Sequence, residues 1–168
     1  ETKRVVEMAH ACGITVEGEI GHVGASSDSV ESVQDDTLYT EPDAAVEFVE
    51  RTGVDAVAIA IGTVHGVYKS APKLDFERLE EIRSLVSVPL VMHGGSGLSA
   101  ENFKHVIRSG ISKINAFTNL TLKVSAQIGE EISTLEKSLS HEISLHMTEY
   151  AKQEVLRHIH LFGTQSVS

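Results

Sequence analysis

The chain has 168 residues, 41% hydrophobic and 23% charged, which is the composition of a globular protein and excludes disorder throughout. With 14 Lys and Arg against 24 Asp and Glu, the net charge of -10 argues against nucleic acid or an anionic membrane as the main partner. The single cysteine, Cys12, excludes an internal disulfide framework and a cysteine-cluster metal site, no apolar run approaches the ~18 residues of a bilayer span, and with no segment reading as a signal peptide a cytoplasmic location is expected.

Helix and strand patterns alternate along the chain. Val5, Met8, Ala9 and Cys12 follow a helical spacing that Gly13 ends. Ile14 to Ile20 alternates as a short strand. Residues 21–38 are polar and acidic without periodicity and read as a long loop, a kind of segment that is more often functional than idle. Pro42 suits the first turn of a helix that presents Ala45, Val46 and Val49 and ends at Gly53. Ala56 to Ile61 is a continuous apolar run, as in a parallel strand buried on both faces. Asp75 caps a predicted helix with Leu79, Ile82 and Val86 inward, and Pro89 to Met92 is the next strand. Ser99 caps a helix closed by Gly110, Ser112 to Ala116 is a fourth strand, and helices are predicted over about Leu120–Leu135 and Ser140–His160.

Strands that alternate with helices imply a parallel sheet with right-handed crossovers. The pattern fits an open doubly wound sheet or part of a (β/α)8 barrel. A complete barrel needs about 250 residues, so four units make half of one. The opening Glu1-Thr2-Lys3-Arg4 runs straight into a helix, and the chain is expected to be a processed form or a piece of a longer polypeptide.

In either architecture the site lies at the C-terminal ends of the strands. Those ends read Glu17-Gly18-Glu19-Ile20-Gly21-His22, Gly62-Thr63-Val64-His65-Gly66-Val67-Tyr68-Lys69, His93-Gly94-Gly95-Ser96-Gly97 and Asn115-Ala116-Phe117-Thr118. Neighbouring parallel strands lie about 4.8 Å apart, so His65 and His93 could reach one ion, with Glu19 the carboxylate in reach; two histidines and a carboxylate suit an open Zn²⁺ site. Each histidine also reads as a hydrogen-bonded rim residue. The Gly94-Gly95-Ser96-Gly97 turn before a capped helix can aim backbone N–H groups at a phosphate, with Asn115 and Thr118 completing the cradle. Lys69 reads as a phosphate contact or, more simply, a surface lysine. His10, His105, His141, His146, His158 and His160 fall on predicted helices and read as solvated.

Tyr39-Thr40-Glu41-Pro42, the Ala58-to-Tyr68 run, Val91-Met92-His93-Gly94-Gly95-Ser96-Gly97 and Lys113-Ile114-Asn115-Ala116-Phe117-Thr118, with Glu17-Gly18-Glu19-Ile20-Gly21, together resemble the class II, metal-dependent ketose-bisphosphate aldolases over nearly the whole chain. The resemblance implies a TIM (β/α)8 barrel in which residues 1–168 form one domain supplying strands five to eight, with residues 21–38 a mobile active-site loop and 138–168 a C-terminal helical extension. It implies Zn²⁺ held by His65 and His93, with Glu19 approaching it. Gly66, Gly94, Gly95, Ser96, Asn115, Ala116, Phe117 and Thr118 are implied to hold a dihydroxyacetone phosphate moiety or a nearby Na⁺ or K⁺. A lyase of carbohydrate metabolism and glycolysis, acting on a phosphorylated ketose as a homo-oligomeric dimer or tetramer, would follow.

Two departures stand out. The family's remaining zinc-ligand histidine and its adjacent catalytic aspartate belong to a strand with no counterpart here. The loop reads Gly24-Ala25-Ser26-Ser27-Asp28 where many members carry Gly-Gly and acidic residues. Asp28 or Glu31 is then the replacement carboxylate, or the substrate differs, a ketose 1-phosphate being one alternative to a bisphosphate. A non-catalytic half-barrel that keeps the phosphate cradle, or a different metal enzyme on a phosphosugar barrel, are the competing readings.

Overall fold

The computed structural model describes residues 1–21, 24–25, 39–66, 72–134 and 139–166. His22, Asp28, Glu31, Tyr68 and Lys69 lie outside the described residues. The elements run α1 (Thr2–Ala11), β1 (Glu17–Ile20), β2 (Gly24–Ala25), α2 (Pro42–Thr52), β3 (Ala56–Ile59), β4 (Val64–His65), α3 (Phe76–Leu85), β5 (Leu90–Met92), α4 (Ala100–Arg108), β6 (Ile111–Ile114), α5 (Thr118–Thr134) and α6 (Ser140–Phe162). They divide into two compact units, Glu1–Asn115 and Ala116–Ser168.

In the first unit, β1, β3, β5 and β6 form a parallel sheet in chain order. A doubly wound sheet reverses its strand order at a switch point. Here nothing reverses, so right-handed crossovers put every helix on one face, as in a (β/α)8 barrel. Accordingly α1 packs on α2, α2 on α3 and α3 on α4. The four-stranded sheet is about half of such a barrel.

Local chemistry sets the boundaries. Pro42 opens α2, and Gly53 closes it in the left-handed region at φ 71°. The Asp75 carboxylate accepts from Arg78 N and the Ser99 hydroxyl from Asn102 N, each satisfying an N–H that the helix itself leaves unpaired. Val57, Ile59, Leu90 and Met92 are buried with Leu79, Ile82, Phe103 and Val106 from the helices. Ala56 to Ile59 is buried as the apolar run predicts, and Ala60 and Ile61 stay fully buried beyond the strand. The predicted loop over 21–38 is interrupted by β2, whose Gly24 and Ala25 pair in parallel with Val64 and His65.

In the second unit, α5 and α6 pack together around buried Val124 and Ile128. Two carboxylates tie them: Glu131 accepts from Tyr150 Oη at 3.0 Å and pairs with His146, while Glu154 accepts from Lys123 at 3.3 Å and Arg157 at 3.0 Å. No helix among the described residues is long and apolar enough to cross a membrane.

Candidate active site

The inner face of the sheet is defined by its smallest residue. A Cβ on Gly18 would meet Phe48 at 2.8 Å and Val54 at 2.9 Å, so position 18 faces the helices. Side chains alternate along a strand, and Glu17 and Glu19 therefore face the other way. The register carries this face across the sheet: Glu19 pairs with Ala58, Ala58 with Val91, and Val91 with Lys113. Two residues beyond Val91 on the same face stands His93.

Glu19 and His93 are separated by the whole width of β3. Two side chains can bridge that gap because β3 presents only Ala56 and Ala58 to it. His93 Nδ1 lies 2.8 Å from Glu19 Oε2, and Nε2 lies 3.1 Å from Glu17 Oε1. Lys113 Nζ donates to the other Glu17 oxygen at 2.7 Å. The His93 side chain is 15% exposed and that of Glu17 29%, a half-sheltered polar patch on the sheet. Burial pushes the Glu17 carboxyl up, but hydrogen bonds and charge from Lys113 and His93 outweigh it and hold it below its ordinary range.

Neither Glu17 nor Lys113 is among the site residues predicted from the sequence. The two-residue spacing of Glu17 and Glu19 was a signal that both share a face. Lys113 carried none, because its orientation depends on an irregularity between Leu90 and Val91. There Leu90 pairs with Ile111 but Val91 with Lys113, so Ser112 is skipped. Regular pairing would have turned Lys113 to the opposite face.

The turn after His93 packs closely against its neighbours. Gly94 (φ 70°) would put a Cβ 2.6 Å from the Val64 carbonyl oxygen. Only a glycine lets the backbone of β4, and with it the main chain of His65, approach the residue beside His93. Gly95 N donates to Asn115 O at 3.2 Å and Asn115 N to Met92 O at 2.9 Å, which seats Asn115 against the same turn. The Gly95 N–H is thus engaged by the main chain rather than pointing at a ligand. Ser96 is buried, Gly66 takes φ 90°, and the Asn115 side chain is exposed.

The structure therefore brings Glu19, His93, Gly94, Gly95, Ser96 and Asn115 together, with the main chain of Val64, next to His65, against Gly94; no contact among the described residues places Gly66 there. Ala116, Phe117 and Thr118 open the second unit, where Thr118 begins α5 and Phe117 is 73% exposed. The helix histidines are not all solvated as the sequence suggested. His10 bonds Asp55 at 2.9 Å, His105 stacks on Phe76 with ring centroids 3.7 Å apart, His146 pairs with Glu131, and His158 Nδ1 lies 2.7 Å from the Glu154 carbonyl. These are ties between elements or turns of helix, and no spacing rule within one helix reveals the first three.

Does the rim suit a metal? Both His93 ring nitrogens face carboxylate oxygens, Nδ1 that of Glu19 and Nε2 that of Glu17, and imidazole nitrogen and carboxylate oxygen are both donor types that Zn²⁺ accepts. The Thr63 hydroxyl, fully buried two residues before His65, has no hydrogen-bond partner among the described residues. Among the described residues no three His, Cys, Asp or Glu groups form a complete ligand set. The donor types present, imidazole and carboxylate, are those of a Zn²⁺ site.

The family described as fructose-bisphosphate aldolase class-II matches residues 1–166, and the chain belongs to that family. Among solved structures, the YdjI aldolase from Escherichia coli K12 is 40% identical, with a TM-score of 0.80, over 97% of this chain and 55% of its own. A Coccidioides immitis protein assigned as a fructose-1,6-bisphosphate aldolase is 28% identical, with a TM-score of 0.81, over 96% of this chain and 56% of its own. The fructose-bisphosphate aldolase of Campylobacter jejuni, 20% identical with a TM-score of 0.73, shares the fold over 96% of this chain and 53% of its own. The chain thus spans about half the length of these relatives, in agreement with the half-barrel.

Proposed function

We propose that this strand-end rim is the metal and phosphate site of an aldolase. The reaction is reversible cleavage of a phosphorylated ketose, a ketose bisphosphate or a related ketose 1-phosphate, to dihydroxyacetone phosphate and an aldehyde. The observation that carries the reading is His93 held between Glu17 and Glu19 on the inner face, one residue from the glycine that admits the β4 backbone. Membership of a metal-dependent family supports it.

His93 and His65 would hold Zn²⁺, with Glu19 either orienting the His93 ring or joining the ion. When bound, the ion supplies Lewis-acid polarisation of the ketose carbonyl. Lys113 neutralises Glu17 and keeps its carboxylate ionised beside the ring. Gly66, Gly94 and Ser96, with Asn115 and Thr118, would bind the phosphate end or a monovalent cation and so hold the carbonyl in one pose. Asp28 or Glu31 is proposed to move the proton at the aldehyde end together with the aspartate that the family places on a preceding strand. A cytoplasmic homo-oligomer remains the proposed setting.

The test is turnover. Residues 1–168 alone are expected to cleave no ketose bisphosphate measurably, since they offer only part of the site. In a longer polypeptide that carries this chain together with the half its relatives add, turnover appears and chelators abolish it. There His93→Ala loses both zinc and turnover, whereas Asn115→Ala keeps zinc and raises KM. Chelator-resistant turnover that borohydride abolishes would indicate a Schiff-base lysine and overturn the reading.

A further inference from the structure

Thr40 lies outside the site just described, yet its hydroxyl joins the two strands that bring Glu19 and His65 to it. It is 2% exposed. Its Oγ1 donates to the Ile20 carbonyl at 2.8 Å and accepts from Ala60 N at 2.8 Å. Its own N–H donates to Ala60 O at 2.8 Å, and Tyr39 bridges Ile61. The β1–β3 ladder ends at Ile20 and Ile59. One hydroxyl thus continues the pairing one step past the ladder. Gly21 is shaped around it: a Cβ there would lie 2.5 Å from Thr40 Oγ1.

Both arms lead to the rim. Ile20 directly follows Glu19, which meets His93 at 2.8 Å. Ala60 begins the turn that reaches His65 five residues later. Behind Thr40 stands Arg78. Its Nη1 donates to Thr40 O at 3.3 Å and to Glu41 at 2.8 Å, its Nε donates to Asp75 at 3.1 Å, and its guanidinium lies 5.5 Å from the centre of the Tyr39 ring. Asp75 N in turn donates to Ile61 O at 3.1 Å. Arg78 therefore holds the Thr40 main chain while Asp75 holds the β3 exit.

We propose that Thr40 is a positioning residue of the active site, fixing the end of β1 to the exit of β3 so that Glu19 stays aimed at His93, with Arg78 bracing it from outside. The role rests on the reading of this rim as the metal site. A single neutral hydrogen bond contributes a net factor of up to about ten in an equilibrium, and Thr40 serves two main-chain groups at once, one buried and one part-buried.

The test uses the ¹⁵N-labelled 168-residue chain without metal. In Thr40→Val, which keeps the shape and removes the hydroxyl, Ala60 amide exchange is expected to rise about tenfold. The His93 ring ¹⁵N shifts should move toward those of Glu19→Gln. Thr40→Ser should restore both. Val106→Ala, buried in α4, controls for general destabilisation and should leave the His93 ring unmoved. If Thr40→Val does not fold, Arg78→Met is expected to give the same changes in smaller measure. A His93 ring that stays at its wild-type shifts in these variants, or moves as far in Val106→Ala, overturns the proposal. Competition with a chromophoric chelator, run on a longer polypeptide that carries this chain together with the half its relatives add, is a second arm: Zn²⁺ affinity should fall about tenfold in Thr40→Val and be kept in Thr40→Ser. If that longer wild-type protein binds Zn²⁺ no better than its His93→Ala variant, the metal reading is refuted, and the ring shifts still decide the role of Thr40.

Discussion

Gly94→Ala adds a single carbon at a close backbone contact of the rim. That carbon would meet the Val64 oxygen at 2.6 Å, its carbonyl carbon at 2.9 Å and its nitrogen at 3.2 Å, all backbone atoms that cannot rotate away. Alanine at φ 70° costs about 1–2 kcal/mol in the left-handed region, and relieving overpacking of this kind costs about 1–3 kcal/mol more. The sum, about 2–5 kcal/mol, is a large part of an ordinary domain's stability of about 5–15 kcal/mol. Gly13→Ala is the matched control, because Gly13 also has φ 70° but nothing within 4 Å of its added carbon. Urea unfolding of both variants isolates the steric part, expected at about 1–3 kcal/mol in favour of Gly13→Ala. The β3–β4 turn must also retreat from His93, so Zn²⁺ affinity should fall in Gly94→Ala and hold in Gly13→Ala. Equal unfolding free energies in the two variants would refute the claim that position 94 is glycine for want of room.

Asp75 caps α3, and although burial pushes its carboxyl up, hydrogen bonds from Arg78 and the nearby charges of Arg78 and Lys73 hold it below the ordinary range. Its contribution is therefore present above the unfolded value of about 3.9 and lost as pH falls through the lower folded value. Asp75→Ala should cost about 0.5–2 kcal/mol at pH 7 and progressively less at acid pH in parallel urea titrations; an unchanged difference at pH 2 would contradict it. Ala58→Leu should fill the gap that Glu19 and His93 bridge, so the Glu19→Gln change in the His93 ring shifts, clear in the wild-type background, should vanish in the leucine background. β1 and β6 are the edges of the described sheet, and open edges template further pairing; sedimentation of residues 1–168 should reveal concentration-dependent association, and a monomer at high concentration would count against it.

Much of the first unit was legible because local signals coincide with the outcome. Asp75 and Ser99 look like caps and act as caps. The apolar run from Ala56 looks buried on both faces and is. His93 was legible through its glycine neighbours. What escaped is non-local. Lys113 joins the site only through a skipped Ser112. Thr40 matters through carbonyl and N–H groups belonging to residues 20 positions away on either side. The choice between an open sheet and a barrel rested on strand order, which no periodicity encodes.

The alanines of β3 connect these observations. A strand buried on both faces ordinarily carries large apolar residues on each. β3 does so on the helix side, with Val57 and Ile59, and places Ala56 and Ala58 on the other. Larger residues there would bury more apolar surface, at about 25 cal/mol per Å². They would also fill the trough through which carboxylates from β1 reach an imidazole beyond β5. The inner face therefore gives up packing along one strand so that charged groups from the two edge strands can meet the histidine between them. That arrangement serves a site better than a core.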